Sequence, residues 1–284
     1  MNKLKITMPL FVSVILCINS FAQVKTNTFQ VEKSGRGSRS IIFIPGFTCP
    51  GSVWDETKSK FENDFVCYTL TMPGFAGSKP EVNPSFKNWE TNIAEYIQKT
   101  RIEKPIVIGH SMGGGLALAL AADYPDLIGK IIIVDALPCL PALMNPGFKA
   151  KENPDCSATL NQITTMSDDQ FYNIQKRTVT MFTADTLMQK KILDWSIKSD
   201  RKTFAVMYCD FTNTDLREKI KTITSPALIL LETSFKDLKP AIEEQYQNLK
   251  GADLQYADKA LHFIMYDDKD WYFAQLNNFL SPRK

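Results

Sequence analysis

The sequence predicts an α/β protein: a mostly parallel central sheet with helices on both faces and a helical insertion in the second half of the chain. Three observations predict it. From Ser40 onward, short β-branched apolar runs alternate with longer segments of helical period, the pattern of parallel strands joined by helical crossovers. One stretch, "PIVIGHSMGGGLALALAADYPD", passes from an apolar strand through a glycine-flanked turn straight into an alanine-rich helix. The alternation lapses between about Pro138 and Thr214, where no buried-strand run occurs and Met144, Met166, Phe171, Tyr172, Met181, Phe182, Met188, Trp195, Phe204 and Met207 recur instead.

The elements follow in order. Lys3 and Lys5 precede an apolar run from Met8 to Ile18, and Ser20-Phe21-Ala22 has the small-x-small form read by signal peptidase. Residues 1–22 are therefore expected to be an export signal, with a periplasmic or extracellular mature chain. The run is too short for a comfortable transmembrane helix, and an uncleaved anchor is the alternative. Cys17 follows Leu16, where a lipoprotein signal wants a small residue, so lipidation is not expected.

Thr28 to Val31 reads as an antiparallel edge strand entering through the polar turn "EKSGRGSRS". Strands are expected at Ile41 to Ile44, Phe65 to Leu70, Pro105 to Gly109, Lys130 to Val134, Ala227 to Leu231 and Asp253 to Tyr256, each a short run rich in branched or aromatic side chains. Helices are expected at Val53 to Phe61, Trp89 to Lys99, Met112 to Ala122, Ile242 to Leu249 and Trp271 to Phe279, where apolar residues recur three and four apart. The resulting division is a core first part over 23–137, a helical cap over 138–213 that opens on "LPCLPALMNPG", and a core second part over 214–284. There is no internal repeat and no low-complexity tract.

A chain of 284 residues suits one large domain with an insertion. Lys3 and Lys5 are the only charged residues of the signal segment, so the remainder carries equal numbers of basic and acidic side chains, without a basic run. That balance argues against nucleic acid as a partner. Outside the signal lie Cys49, Cys67, Cys139, Cys156 and Cys209, with no CxxC and no histidine spaced for zinc, so no structural metal is expected. Export permits a disulfide, and Cys139 and Cys156 are the nearest pair in sequence; the odd count leaves at least one cysteine over.

Gly109-His110-Ser111-Met112-Gly113 sits where a strand turns sharply into a helix, the context of a nucleophile elbow. Side chains two positions before and after the serine would not fit such a turn, hence the glycines. A serine hydroxyl needs a base, and the chain has two histidines. His110 adjoins the serine, and its side chain is expected to point away. His262, after the last strand in "KALHFIMYDD", remains, and serine early with histidine last is the order of the α/β hydrolases. Asp267 and Asp268 behind it are expected to cap the last helix. An oxyanion needs two N–H donors; those expected are Met112, next to the serine, and Phe47, in the turn after the strand of "IIFIPGFTCPGSVWDE".

With "IPGFTCPGSVWD", "LTMPGFAGSKP", "GHSMGGG", "IIIVDALP", "DLREKI", "SPALILL" and "HFIMYDDKDWYFAQLNNFL" together, almost all of the mature chain resembles an α/β-hydrolase with a helical cap. The resemblance implies that fold and a serine nucleophile, and does not specify a substrate. The chain departs from the family pattern twice. Pro45 stands where a histidine often precedes the oxyanion glycine, and Phe235 occupies the usual aspartate site after the strand at 227–231. The acid for His262 is then Asp135, at the end of the strand at 130–134, which resembles the site used by some hydrolases of this fold; Asp237 is the alternative and Glu232 a further one.

The expected activity is that of an exported serine hydrolase on a small-molecule ester, through a Ser111–His262–Asp135 triad and an acyl-enzyme, with no metal or organic cofactor and no stable membrane insertion after signal cleavage. The methionine-rich cap is expected to line an adaptable apolar pocket. The same triad cleaves amides, terminal peptides, lactones and certain carbon–carbon bonds. Epoxide and haloalkane chemistry is disfavoured because the relatives that perform it carry aspartate where this chain has Ser111. The rival of another class is an inactive hydrolase fold that only binds.

Overall fold

The computed structural model describes residues 28–281. Seven strands run β1 (Gln30–Gly35), β2 (Arg39–Ile44), β3 (Phe65–Thr71), β4 (Ile106–His110), β5 (Lys130–Val134), β6 (Ala227–Leu231) and β7 (Asp253–Tyr256). They form one sheet of order β1-β3-β2-β4-β5-β6-β7, in which β1 is antiparallel to β3 and every other pairing is parallel. The edge strand runs on to Gly35, so most of the expected entry turn is ladder; the turn proper is left to Gly35 and Gly37 with φ of 76° and 141°.

The central strands are buried on both faces, which is why they read as continuous apolar runs. Period two divides them: Ile42, Ile44, Ile131 and Ile133 join the core on one side, and Ile41, Phe43, Ile132 and Val134 the core on the other. The first side is covered by α2 (Phe86–Lys99), α3 (Met112–Asp123) and α8 (Lys239–Tyr246), the second by α1 (Asp55–Phe61), α9 (Ile264–Asp267) and α10 (Lys269–Leu280). Helix α3 is buried almost all round. Its Gly-Gly-Gly-Leu-Ala-Leu-Ala-Leu-Ala-Ala composition is that of a helix packed too closely for large side chains on every face.

Between β5 and β6 the chain is all-helical, with α4 (Ser157–Thr165), α5 (Asp168–Phe182), α6 (Thr186–Lys198) and α7 (Arg201–Thr212). Local caps begin three of them: a reciprocal Ser167–Gln170 capping box on α5, Asp185 on α6 and Asp200 on α7. Cys156 at the start of α4 is disulfide-bonded to Cys209 in α7. This corrects the Cys139–Cys156 pairing: Cys139 is a buried free thiol beside the sheet, while antiparallel packing of α4 on α7 closes the longer loop. No described helix is long and apolar enough to cross a membrane. The expected export signal lies outside the described residues.

The crossovers run one way from β2 to β3 and the other way from β4 onward, so the loops that follow β2 and β4 face each other at the carboxyl edge of the sheet. That switch point is where open α/β sheets bind ligands.

Candidate active site

The turn after β4 is built by close approach. Ser111 has φ 54° and ψ −123°, a strained conformation for a side-chain-bearing residue. Its N–H donates to the Val134 carbonyl of β5 at 2.9 Å, and its own carbonyl accepts from Gly114 at 2.8 Å, so strand and helix are fastened on both sides of it. A Cβ on Gly109 would lie 2.1 Å from the Gly113 oxygen, and one on Gly113 2.4 Å from the Ile44 oxygen. Neither position admits a side chain, as the turn requires.

Two other residues at this edge share the strain. Thr48, after Phe47, has φ 62°, and Asp135, after β5, has φ 50°. For a β-branched residue such a φ is a genuine outlier, held by its surroundings. Here Cys49 N–H closes the turn onto the Gly46 carbonyl at 3.1 Å, and the Thr48 hydroxyl meets that of Ser196 in α6 at 2.9 Å. The Phe47 turn is thus tied to the helical insertion. The Met112 N–H opens α3, in the first turn whose donors have no partner within the helix.

Asp135 and His262 are brought together. The His262 Nδ1 and Asp135 Oδ2 are 2.6 Å apart, and Asp135 Oδ1 accepts from the Glu232 N–H at 2.7 Å. Asp135 is buried, and burial raises its pKa against the opposing pull of the His262 hydrogen bond. Asp237, the alternative acid, ends a 3₁₀ turn after β6 (Thr233–Lys236) and makes no part of this network; the carboxylate that does lie here is Glu232. One carboxylate oxygen of Asp135, one of Glu232 and a ring nitrogen of His262 all fall within 4.8 Å of one another.

The contacts of two residues, His110 and Asp267, are not evident from the sequence. His110 is buried with its Nε2 2.9 Å from the His262 carbonyl and its ring 4.6 Å from the His262 ring. Burial, then the neighbouring His262, hold its pKa well below the ordinary value, so it is a neutral imidazole donating from Nε2. Period two was the available signal, since it puts His110 on the same sheet face as Ile106 and Ile108, the face of Trp54 and Phe263. Asp267 does not cap the last helix. Its carboxylate accepts from the Leu261 N–H at 3.0 Å, the Thr183 hydroxyl at 2.6 Å and the Ala184 N–H at 3.1 Å, clasping the His262 loop to the end of α5. Asp268 stands at the N-cap of α10 without a side-chain capping bond.

Aromatic rings pack around the Phe47 turn and His262. The Phe47 ring packs edge-on against Phe75, Phe204 and Tyr208 at 5.0, 4.7 and 6.0 Å, and Phe182 lies 5.2 Å from His262. Of the methionines, Met188 and Met207 are buried packing residues, whereas Met144 and Met181 are exposed.

An open, mostly parallel sheet with a strained serine turn at its switch point defines the class, an α/β hydrolase scaffold. A family model described as "alpha/beta hydrolase fold" matches residues 39–269, and the chain belongs to this family. Among similar sequences are the N-formylmaleamate deformylase of Pseudomonas putida, 24% identical and covering 87% of this chain and 90% of that protein, and the pimeloyl-[acyl-carrier protein] methyl ester esterase of Wigglesworthia glossinidia brevipalpis, 26% identical over 68% and 74%. The enol-lactonase of Burkholderia xenovorans LB400 superimposes with a TM-score of 0.74 at 17% identity, covering 89% of this chain and 96% of that one. An esterase of Exiguobacterium antarcticum gives 0.72 at 17% identity, covering 88% and 94%. By family and relatives the chain is a hydrolase.

Proposed function

We propose that the protein is a serine esterase in which Ser111, His262 and Asp135 form the catalytic triad. The observation that carries this is the 2.6 Å bond between His262 Nδ1 and Asp135 Oδ2, beside the strained serine whose N–H is bonded to the strand leading into Asp135. With its Nδ1 proton held by Asp135, the imidazole has its Nε2 lone pair free to act as base. His262 takes the Ser111 proton as the oxygen attacks the ester carbonyl, and the Phe47 and Met112 N–H groups hold the oxyanion. His262 then protonates the departing alcohol. Water repeats the cycle on the acyl-enzyme and regenerates Ser111. No metal or organic cofactor enters.

The rings gathered on Phe47, namely Phe75, Phe204 and Tyr208, support an apolar acyl group. A second reading, amide hydrolysis, draws support from the N-formylmaleamate deformylase likeness over 90% of that protein's length. Export of the mature chain is supported by the Cys156–Cys209 disulfide, a bond that persists in oxidising compartments. The test is initial rates on p-nitrophenyl esters from acetate to octanoate and on the matched anilides, with Ser111→Ala as blank. The esters should turn over, Ser111→Ala should not, and anilides faster than esters would transfer the assignment to an amidase.

A further inference from the structure

Asp135 is not the lone carboxylate behind His262. Glu232 follows β6, the strand beside β5, and its backbone N–H holds Asp135 Oδ1. Its carboxylate lies within 4.8 Å of both Asp135 and the His262 ring nitrogen, and is hydrogen-bonded by the Ser234 hydroxyl. The next residue, Thr233, donates its N–H to the Ala260 carbonyl at 2.9 Å, fixing the Glu232 segment to the loop that carries His262.

We propose that Glu232 is a positioning residue for His262: it adds a second negative charge on the Nδ1 side of the imidazole, and it accepts the Nδ1 proton's hydrogen bond when the Asp135 carboxylate is removed. The inference rests on the Ser111–His262 reading. Two carboxylates this close resist ionising together unless a positive charge stands between them, and the imidazolium formed during attack is that charge. The charged or titratable groups that face Glu232 and His262 are Asp135 from β5, His110 from β4 and Asp267 from α9. Burial, then the Asp135 charge, push the Glu232 carboxyl above its ordinary range, which marks a group that gains most when His262 becomes positive.

An unusual ordering of substitutions follows. Asn at 135 fills the space and presents an amide, so Glu232 stays excluded; Ala at 135 opens the space next to Nδ1. With p-nitrophenyl butyrate and the full-length enzyme, Asp135→Ala should lose about 10²-fold in kcat and Asp135→Asn about 10⁴-fold, with Asp135→Ala/Glu232→Gln falling to the Asn level. Glu232→Gln alone should move the acid limb of kcat/KM to lower pH by about half a unit, the effect of a unit charge near 5 Å even at the dielectric of water. Glu232→Asp should restore the wild-type limb. Equal rates in Asp135→Ala and its double variant, or a Glu232→Gln profile that overlays wild type, would overturn the proposal. If Asp135→Ala does not fold, the two single Glu232 variants decide it. Wild-type turnover that survives Ser111→Ala would instead overturn the triad reading, and this one with it.

Discussion

Asp135→Asn is the substitution whose effect the geometry dictates most fully. In the native site the two oxygens of Asp135 have different partners: Oδ2 faces His262 Nδ1 at 2.6 Å and Oδ1 faces the Glu232 N–H at 2.7 Å. Asparagine has one oxygen to offer. The backbone N–H of Glu232 can only donate, so the amide turns its oxygen there and its NH2 group to His262. Nδ1 must then accept, which moves the imidazole proton to Nε2 and, in the proposed triad, leaves no lone pair there to take the Ser111 proton. The wrong tautomer costs on the order of 10⁴ in turnover, or about 5.5 kcal/mol of barrier. The assay is kcat on p-nitrophenyl butyrate, normalised to folded enzyme by near-UV circular dichroism. A folded Asp135→Asn enzyme within about tenfold of wild type would refute the tautomer argument.

Two stability predictions accompany it. The Cys156–Cys209 bond spans a sequence separation of 53, for which loop-closure entropy gives up to about 4 kcal/mol; Cys156→Ser/Cys209→Ser should lower the denaturant midpoint of the helical insertion, and an unchanged midpoint would show that the closed loop contributes nothing. Glu90 is buried beside Asp123 and Lys87, and burial with the Asp123 hydrogen bond pushes it up to about 7. Although burial opposes it, Asp123 is held down to about 2 by hydrogen bonds from Glu90, Lys219 and Lys87, which fits a protonated Glu90 donating to Asp123. The unfolded chain releases the Glu90 proton in the ordinary carboxyl range while the folded chain keeps it, so wild-type stability should fall as pH rises from about 4.5 to 7. Glu90→Gln keeps the neutral donor and should flatten that part of the Tm profile; parallel profiles would contradict the shared proton.

The sheet was legible because its signals are local. Apolar runs and period two located every strand to within a few residues, and β5, β6 and β7 to the residue at both ends. The placement of Asp135 was legible for the same reason, since "KIIIV" leads straight into it. What escaped depends on contacts that no spacing encodes. The partner of Cys156 is set by the packing of α4 on α7, and the partners of Asp267 lie in α5 and the His262 loop, 84 residues apart in the case of Thr183. The conformation of Thr48 is imposed by its neighbours against its own preference. The roles of the methionines were not legible because a methionine on an amphipathic helix reads alike whether it faces the site, the core or solvent: Met188 and Met207 are buried, and Met144 and Met181 are exposed.

The central claim is that Ser111 is a nucleophile activated by His262, and labelling with a fluorophosphonate reports it directly. Intact mass after incubation of wild type, Ser111→Ala and His262→Ala should show one adduct on wild type, mapped to the Ser111 peptide, none on Ser111→Ala, and labelling slowed by at least ~10³ in His262→Ala. Stoichiometric labelling elsewhere, or none on folded wild type, would contradict the account.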